Sequence, residues 1–151
     1  MRKQRIVFSI IITLIVFSSF SYQKSASVTD WVEQTLLLST ALNFTNNESY
    51  SSPVRLRYTH NGWEALSNFL SHYANSSLGN DMPFHPTVIS EPAIVNSGII
   101  TNSHFFAGTP YWRVEQGIAI PELNINIAFS VLVIETTDKH FLIQSLDMVA
   151  Q

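Results

Sequence analysis

Tyr111-Trp112-Arg113-Val114-Glu115-Gln116-Gly117-Ile118-Ala119-Ile120 is the stretch whose reading decides the fold. Trp112, Val114, Ile118 and Ile120 share one parity and Arg113 and Glu115 the other, which is the period of a strand with one buried and one wet face. After Pro121-Glu122 the alternation returns, with Ile125, Ile127, Phe129, Val131 and Val133 set against Asn124, Asn126 and Ser130. Thr136-Thr137-Asp138-Lys139 reads as a hairpin turn, with Asp138 satisfying the turn through its own side chain. The run that follows, His140 to Val149, is apolar on both parities at Phe141, Leu142, Ile143 and Leu146, so a strand covered on both faces along at least its first half is expected. An antiparallel meander of this kind needs a layer on its dry face, and the rest of the chain must supply it.

Upstream, Thr29 or Asp30 can cap a helix beginning at Trp31, with Glu33 in its first turn where negative charge suits the helix dipole. Trp31, Leu38, Ala41, Leu42 and Thr45 fall near one face, and the pattern fades at Asn46-Asn47. Residues 47–58 read as a loop. Arg55 and Arg57, the one close pair of basic residues outside the N-terminal segment, balance local acids there or, alternatively, contact a partner. Asn61 followed by Glu64 has capping-box spacing, with Thr59 as an alternative cap. Trp63, Leu66, Phe69, Leu70 and Tyr73 then form one strong apolar stripe, the face that should cover the sheet. The helix ends over Asn75 to Gly79, and Pro83 and Pro86 hold an extended linker. Two further runs, Thr87 to Asn96 and Ile99 to Ala107, predict strands separated by Asn96-Ser97-Gly98. Pro92 in the first implies an edge strand or a bulge. The order is therefore helix, helix, then four or five antiparallel strands, an α+β domain.

The chain has 151 residues, 46% hydrophobic and 13% charged, which suffices for one domain with a proper core and argues against two. No cysteine is present, so a disulfide framework and a thiolate metal site are excluded. Arg2, Lys3 and Arg5 precede an uncharged run from Ile6 to Phe20, with the small residues Ser18, Ser19 and Ser21 at its exit. This is the pattern of a secretory signal peptide. The competing reading is a membrane anchor, but fifteen residues span only ~22 Å of a ~30 Å hydrocarbon core. Residues 1–27 are thus expected to be a signal peptide or anchor and 28–151 a single domain. Without residues 1–21, five basic residues face eleven acidic ones, a net charge of −6. Such a surface repels phosphate backbones and anionic bilayers, so no nucleic-acid partner is expected.

The five histidines (60, 72, 85, 104 and 140) stand far apart, with no pair at metal-binding spacing. There is no glycine-rich phosphate loop, nucleophile elbow or EF-hand, and no cofactor is implied. Asp81, Glu91 and Asp147 are single acids of the kind any domain offers; Asp147 reads as a solvent-facing residue near a strand end.

Trp31 opening one helix, Thr59-His60-Asn61-Gly62-Trp63 opening a second with Leu66 and Leu70 behind it, then Pro92, Gly98 and Tyr111-Trp112-Arg113-Val114, together form a pattern that resembles the DotI/IcmL family of type IVB secretion. The resemblance covers roughly residues 28–150 and rests on aromatic and turn positions. It implies a nuclear transport factor-like cone, a curved antiparallel sheet wrapped around helices, in the periplasm. It also implies a non-enzymatic assembly or accessory role. Core family members carry a cytoplasmic stretch before their anchor, whereas here only Met1 to Arg5 precede the apolar run, which favours a soluble periplasmic relative. Inner-membrane attachment would follow only if the N-terminal segment stays uncleaved. The rival function is a small-molecule-binding protein or an isomerase- or dehydratase-type enzyme, which would need an acid and a His or Tyr converging inside the cone. For the secretion reading, the expected partners are secretion-system proteins or a second copy. The expected contact residues are Leu142, Leu146 and Met148 of the last strand, where apolar residues on both parities imply either a face buried by another chain or a strongly curved sheet whose last strand is enclosed by its own loops, together with Arg55 and Arg57.

Overall fold

The computed structural model describes residues 27–42, 44, 51–77, 83–102 and 105–151. Two helices, α1 (27–40) and α2 (His60–Ser77), lie against one face of a four-stranded sheet formed by β1 (Thr87–Ile99), β2 (Pro110–Ile120), β3 (Ile125–Glu135) and β4 (Phe141–Ala150). The strands pair antiparallel in the order β1-β2-β3-β4. The sheet is curved and does not close. The α+β architecture expected from the element order is the one observed, with four strands. Residues 1–26 fall outside the described residues, and among those described no helix is long and apolar enough to cross a membrane.

β2 and β3 follow the sequence alternation. Trp112, Val114, Ile118, Ile120, Ile127, Phe129, Val131 and Val133 all enter the core, and Gln116 goes in with them as a buried polar residue. The link between the two strands is a short 3₁₀ turn, Pro121–Leu123, closed by Asn124 in the left-handed conformation with its N–H on Pro121 O at 3.0 Å. Asn tolerates that conformation better than most residues. In the β3–β4 hairpin the side-chain bonds are made by Thr136, whose hydroxyl donates to His140 O and accepts from His140 N, both at 3.2 Å. Thr136 thus takes the role expected of Asp138.

The two separate strands expected over residues 87–107 are in fact one. Asn96-Ser97-Gly98 lies inside β1, with Gly98 opposite Tyr111, and the described residues 100–102 and 105–109 lie outside the strands, tied by Ile100 N to Thr109 O at 2.9 Å. Pro92 marks an edge strand, as expected, and pairing with β2 slips at three places around it. Such irregularity is common on edges, where a missing N–H and a locally twisted backbone cost least.

β4 corrects the parity argument. Val133 pairs with Ile143 but Leu132 pairs with Ser145, so Gln144 is an extra residue on β4. A β-bulge of this kind shifts the phase of alternation. Phe141 and Ile143 before the bulge and Leu146 and Met148 after it all face the core, while Leu142, Ser145, Asp147 and Val149 face outward. The mixed parity therefore comes mainly from one apolar face with a phase shift, and cover on the outer face is confined to the start of the strand. Leu142 is half-buried on the outer side, beside Ile134, which is buried apart from the core cluster.

α1 also departs from expectation. The helix is already formed at residue 27, so Thr29 and Asp30 lie within it and are not its cap. Its buried stripe is Val28, Val32, Thr35, Leu36, Ser39 and Thr40, whereas Leu38 is 53% exposed and Trp31 half-buried. Counting apolar residues alone missed this face because half of it is hydroxylated. Thr35, Ser39 and Thr40 each donate to the carbonyl four residues back at 2.7 Å, so they enter the core with their hydrogen bonds satisfied. The helix ends at 40, and 45–47 lie outside the described residues.

α2 behaves as its stripe predicts. Trp63, Leu66 and Leu70 are buried, with Phe69 and Tyr73 packed at the margin. The cap is Thr59, the alternative, whose Oγ1 accepts from Gly62 N at 3.2 Å; Asn61 lies within the helix. Thr59 also joins the sheet, its N–H donating to Ile143 O at 2.8 Å and its hydroxyl to Gln144 O at 2.9 Å. Gly62 makes this approach feasible, since a Cβ there would stand 3.1 Å from Ile143 O.

The linker before β1 is pinned to the β2–β3 turn. Glu122 accepts from His85 N at 3.1 Å and meets His85 Nδ1 at 2.7 Å, which holds Phe84 in the core. Loss of solvent pushes the Glu122 carboxyl upward in pKa, but the backbone N–H of His85, the residue's own backbone N–H and the His85 ring together outweigh it and leave the group below its ordinary value. A carboxylate favoured in the folded chain contributes stability that is complete above its unfolded pKa of about 4.3 and is lost as pH falls through the folded value. The melting-temperature gap between wild type and Glu122→Gln is therefore expected to shrink between about pH 5 and pH 3. A gap that stays constant across that range would show that the contact contributes no charge-dependent stability.

Candidate functional site

Gln116 with Glu33 and Tyr58 with Ser39 are two separate polar pairs on the helix side. Gln116 Nε2 donates to Glu33 Oε2 at 3.2 Å, and Gln116 Oε1 has no partner among the described residues. Tyr58 OH shares a 2.6 Å bond with Ser39 Oγ, and burial drives the phenol far above its ordinary pKa, against smaller opposing contributions from Ser39 and Arg57. Glu33 and Ser39 are six residues apart on α1, about 9 Å along its axis, so Glu33 and the Tyr58 phenol do not converge. His60, His72, His85 and His140 are exposed, and among the described residues no group of three metal-binding side chains forms.

The outer face of the sheet offers a more open geometry. Cross-strand register arranges its side chains in rows: Ser90, Gly117, Ala128 and Val149 in one, then Ala93, Glu115, Ser130 and Asp147, then Asn96, Arg113, Leu132 and Ser145. Between the first two rows runs a channel of about 620 Å³ that crosses all four strands. The depression exists because Gly117 and Ala128 on its floor are small. Ile89 and Ser90 of the irregular edge strand lean over Gly117, where a Cβ would come within 2.8 Å of both, and Gly117 N donates to Ser90 Oγ at 2.6 Å. Ile89 at one end and Val149 at the other are 53% and 60% exposed. Arg113 reaches along the face to Ser130 Oγ at 3.1 Å and Asp147 Oδ2 at 3.2 Å. The pair is exposed and contributes at most about 1 kcal/mol, so it orients the side chains more than it stabilises them.

The residues expected to make contacts are not brought together. Leu146 is in the core, Met148 packs against the core from the same side, and Leu142 lies on the opposite face. Arg55 is exposed in the 3₁₀ turn Pro53–Arg57. Arg57 packs on α1, its guanidinium 5.8 Å from the Trp31 ring centre and donating to Thr35 Oγ1 at 2.9 Å. Trp31 in turn meets Phe141, which meets Trp112, in edge-on contacts at 5.6 and 5.7 Å. The outer rows were half visible in the sequence, since Arg113 and Glu115 marked the wet parity of β2. The channel itself depends on cross-strand register and on Gly117, which the alternation does not specify.

Helices on one face of an open, curved, four-stranded antiparallel meander define an α+β domain whose outer face is largely open among the described residues. No protein-family model and no curated protein matches the sequence. Among solved structures, the chain is similar to the periplasmic domain of DotI, with a TM-score of 0.62 at 14% identity, covering 83% of this chain and 95% of that one. The two share a fold, as the aromatic and turn positions implied.

Proposed function

We propose that this chain is a non-enzymatic, periplasmic accessory component of a type IVB secretion apparatus that acts through protein contacts. The observation that carries the reading is agreement of fold with the DotI periplasmic domain across nearly all of that domain. The charged head and short apolar run of residues 1–21 support export, with the mature chain beginning near Tyr22 or Val28. The inner face of the sheet is filled by Leu36, Leu66, Leu70 and their neighbours, which leaves the outer face and the Arg55–Arg57 turn as contact surfaces. The partners are other proteins of the apparatus or a second copy of the chain.

Cross-linking in cells that carry the apparatus, followed by affinity purification, is expected to recover the processed chain from the periplasm together with apparatus proteins. Recovery of an unprocessed chain from the cytoplasm, or of a chain with no apparatus protein attached, would contradict the proposal.

A further inference from the structure

We infer that the channel across the outer face of the sheet receives an extended cationic segment of a partner protein, a stretch in which lysine or arginine alternates with apolar residues. The inference rests on the protein-contact reading above and specifies the chemistry the partner must present. Every charged side chain lining the channel is a carboxylate: Glu91, Glu115 and Asp147. Asp147 is engaged by Arg113, whereas Glu91 and Glu115 have no cationic partner among the described residues. The rest of the lining is largely apolar or small, with Ile89, Ala93, Gly117, Ala128 and Val149.

Row spacing fits the same occupant. Neighbouring rows on one strand face are two residues apart, about 6.6 Å. That is close to the reach of a lysine or arginine stem, whose methylenes can lie along apolar surface while the charged head sits in a polar position. A stem laid over Gly117 and Ala128 between Ile89 and Val149 therefore brings its charge to Glu115. A second copy of the chain is disfavoured in this channel, because two-fold contact would set carboxylate against carboxylate in a protein whose net charge without residues 1–21 is −6.

The test measures fluorescence anisotropy of the full chain with labelled decapeptides of alternating Lys-Leu, Gln-Leu and Glu-Leu. The Lys-Leu peptide is expected to bind about tenfold or more tightly than either other peptide, with an affinity that falls as salt rises. Glu91→Gln combined with Glu115→Gln, both at exposed positions, is expected to remove about that tenfold preference without lowering the melting temperature. Asp138→Asn on the β3–β4 turn is expected to leave the preference unchanged. Equal affinities for the Lys-Leu and Gln-Leu peptides, absence of Lys-Leu binding, or an equal loss in Asp138→Asn would each overturn the channel assignment. Those outcomes in a chain that still co-purifies with apparatus proteins leave the secretion reading standing. Retained peptide binding with no co-purification does the reverse.

Discussion

Trp63→Ala is expected to cost about 3–5 kcal/mol, as truncation of a buried aromatic typically does. Trp63 is 3% exposed at the start of α2, with Tyr58 and Phe44 around it at ring-centre distances of 5.4 and 5.5 Å. It locks the helix to the segment that leads into it, so truncation leaves a void at a three-way junction. A domain of this size has about 6–20 kcal/mol in all, and the loss is a large share of it. Trp63 Nε1 is buried without a partner among the described residues, which offsets part of the gain from burying the ring. Trp63→Phe is accordingly expected to cost less than half as much as Trp63→Ala. Urea denaturation gives both values, and a loss below about 1 kcal/mol for Ala would place the ring outside the structural core.

Leu146→Lys is the second large effect: the expected result is a chain that unfolds rather than one that falls apart into folded monomers. Leu146 is 8% exposed and pairs with Val131 on the helix side of the sheet. A lysine there must strip its ammonium of water or give up its proton, and the expected cost exceeds about 4 kcal/mol. Val149, outward on the same strand, tolerates lysine within about 0.5 kcal/mol. Circular dichroism with sedimentation distinguishes the outcomes. A folded Leu146→Lys monomer that had lost a partner would restore Leu146 to an interface.

Strict alternation made β2 and β3 legible, because every second side chain there meets the same layer of helices. The α2 stripe was legible for the same reason at helical period. Three features were hidden. The inner face of α1 combines Val28, Val32 and Leu36 with hydroxyls that repay their own backbone, so a polarity count favours the Trp31–Leu38 face instead. Asn96-Ser97-Gly98 has turn composition but sits in an edge strand, where pairing on one side suffices to keep it extended. The bulge at Gln144 carries no compositional mark, and without it the parity of β4 pointed to a second buried face. The candidate channel was legible only as a wet parity at Arg113 and Glu115, since its shape comes from four strands meeting in register.

The bulge at Gln144 also determines where the sheet can grow. In a regular strand successive carbonyls point to opposite edges, yet Ile143 O and Gln144 O both accept from Thr59. The extra residue turns two neighbouring acceptors the same way, and the cap of α2 occupies both. With Tyr58 bridged to Ile143 alongside, the middle of the β4 edge is closed from within the chain, and no added strand can run its length. The opposite margin, β1, has no such plug among the described residues. Accretion of strands onto this domain is therefore confined to the β1 margin, so edge pairing between copies would stop at a β1-to-β1 pair with a closed β4 at each end.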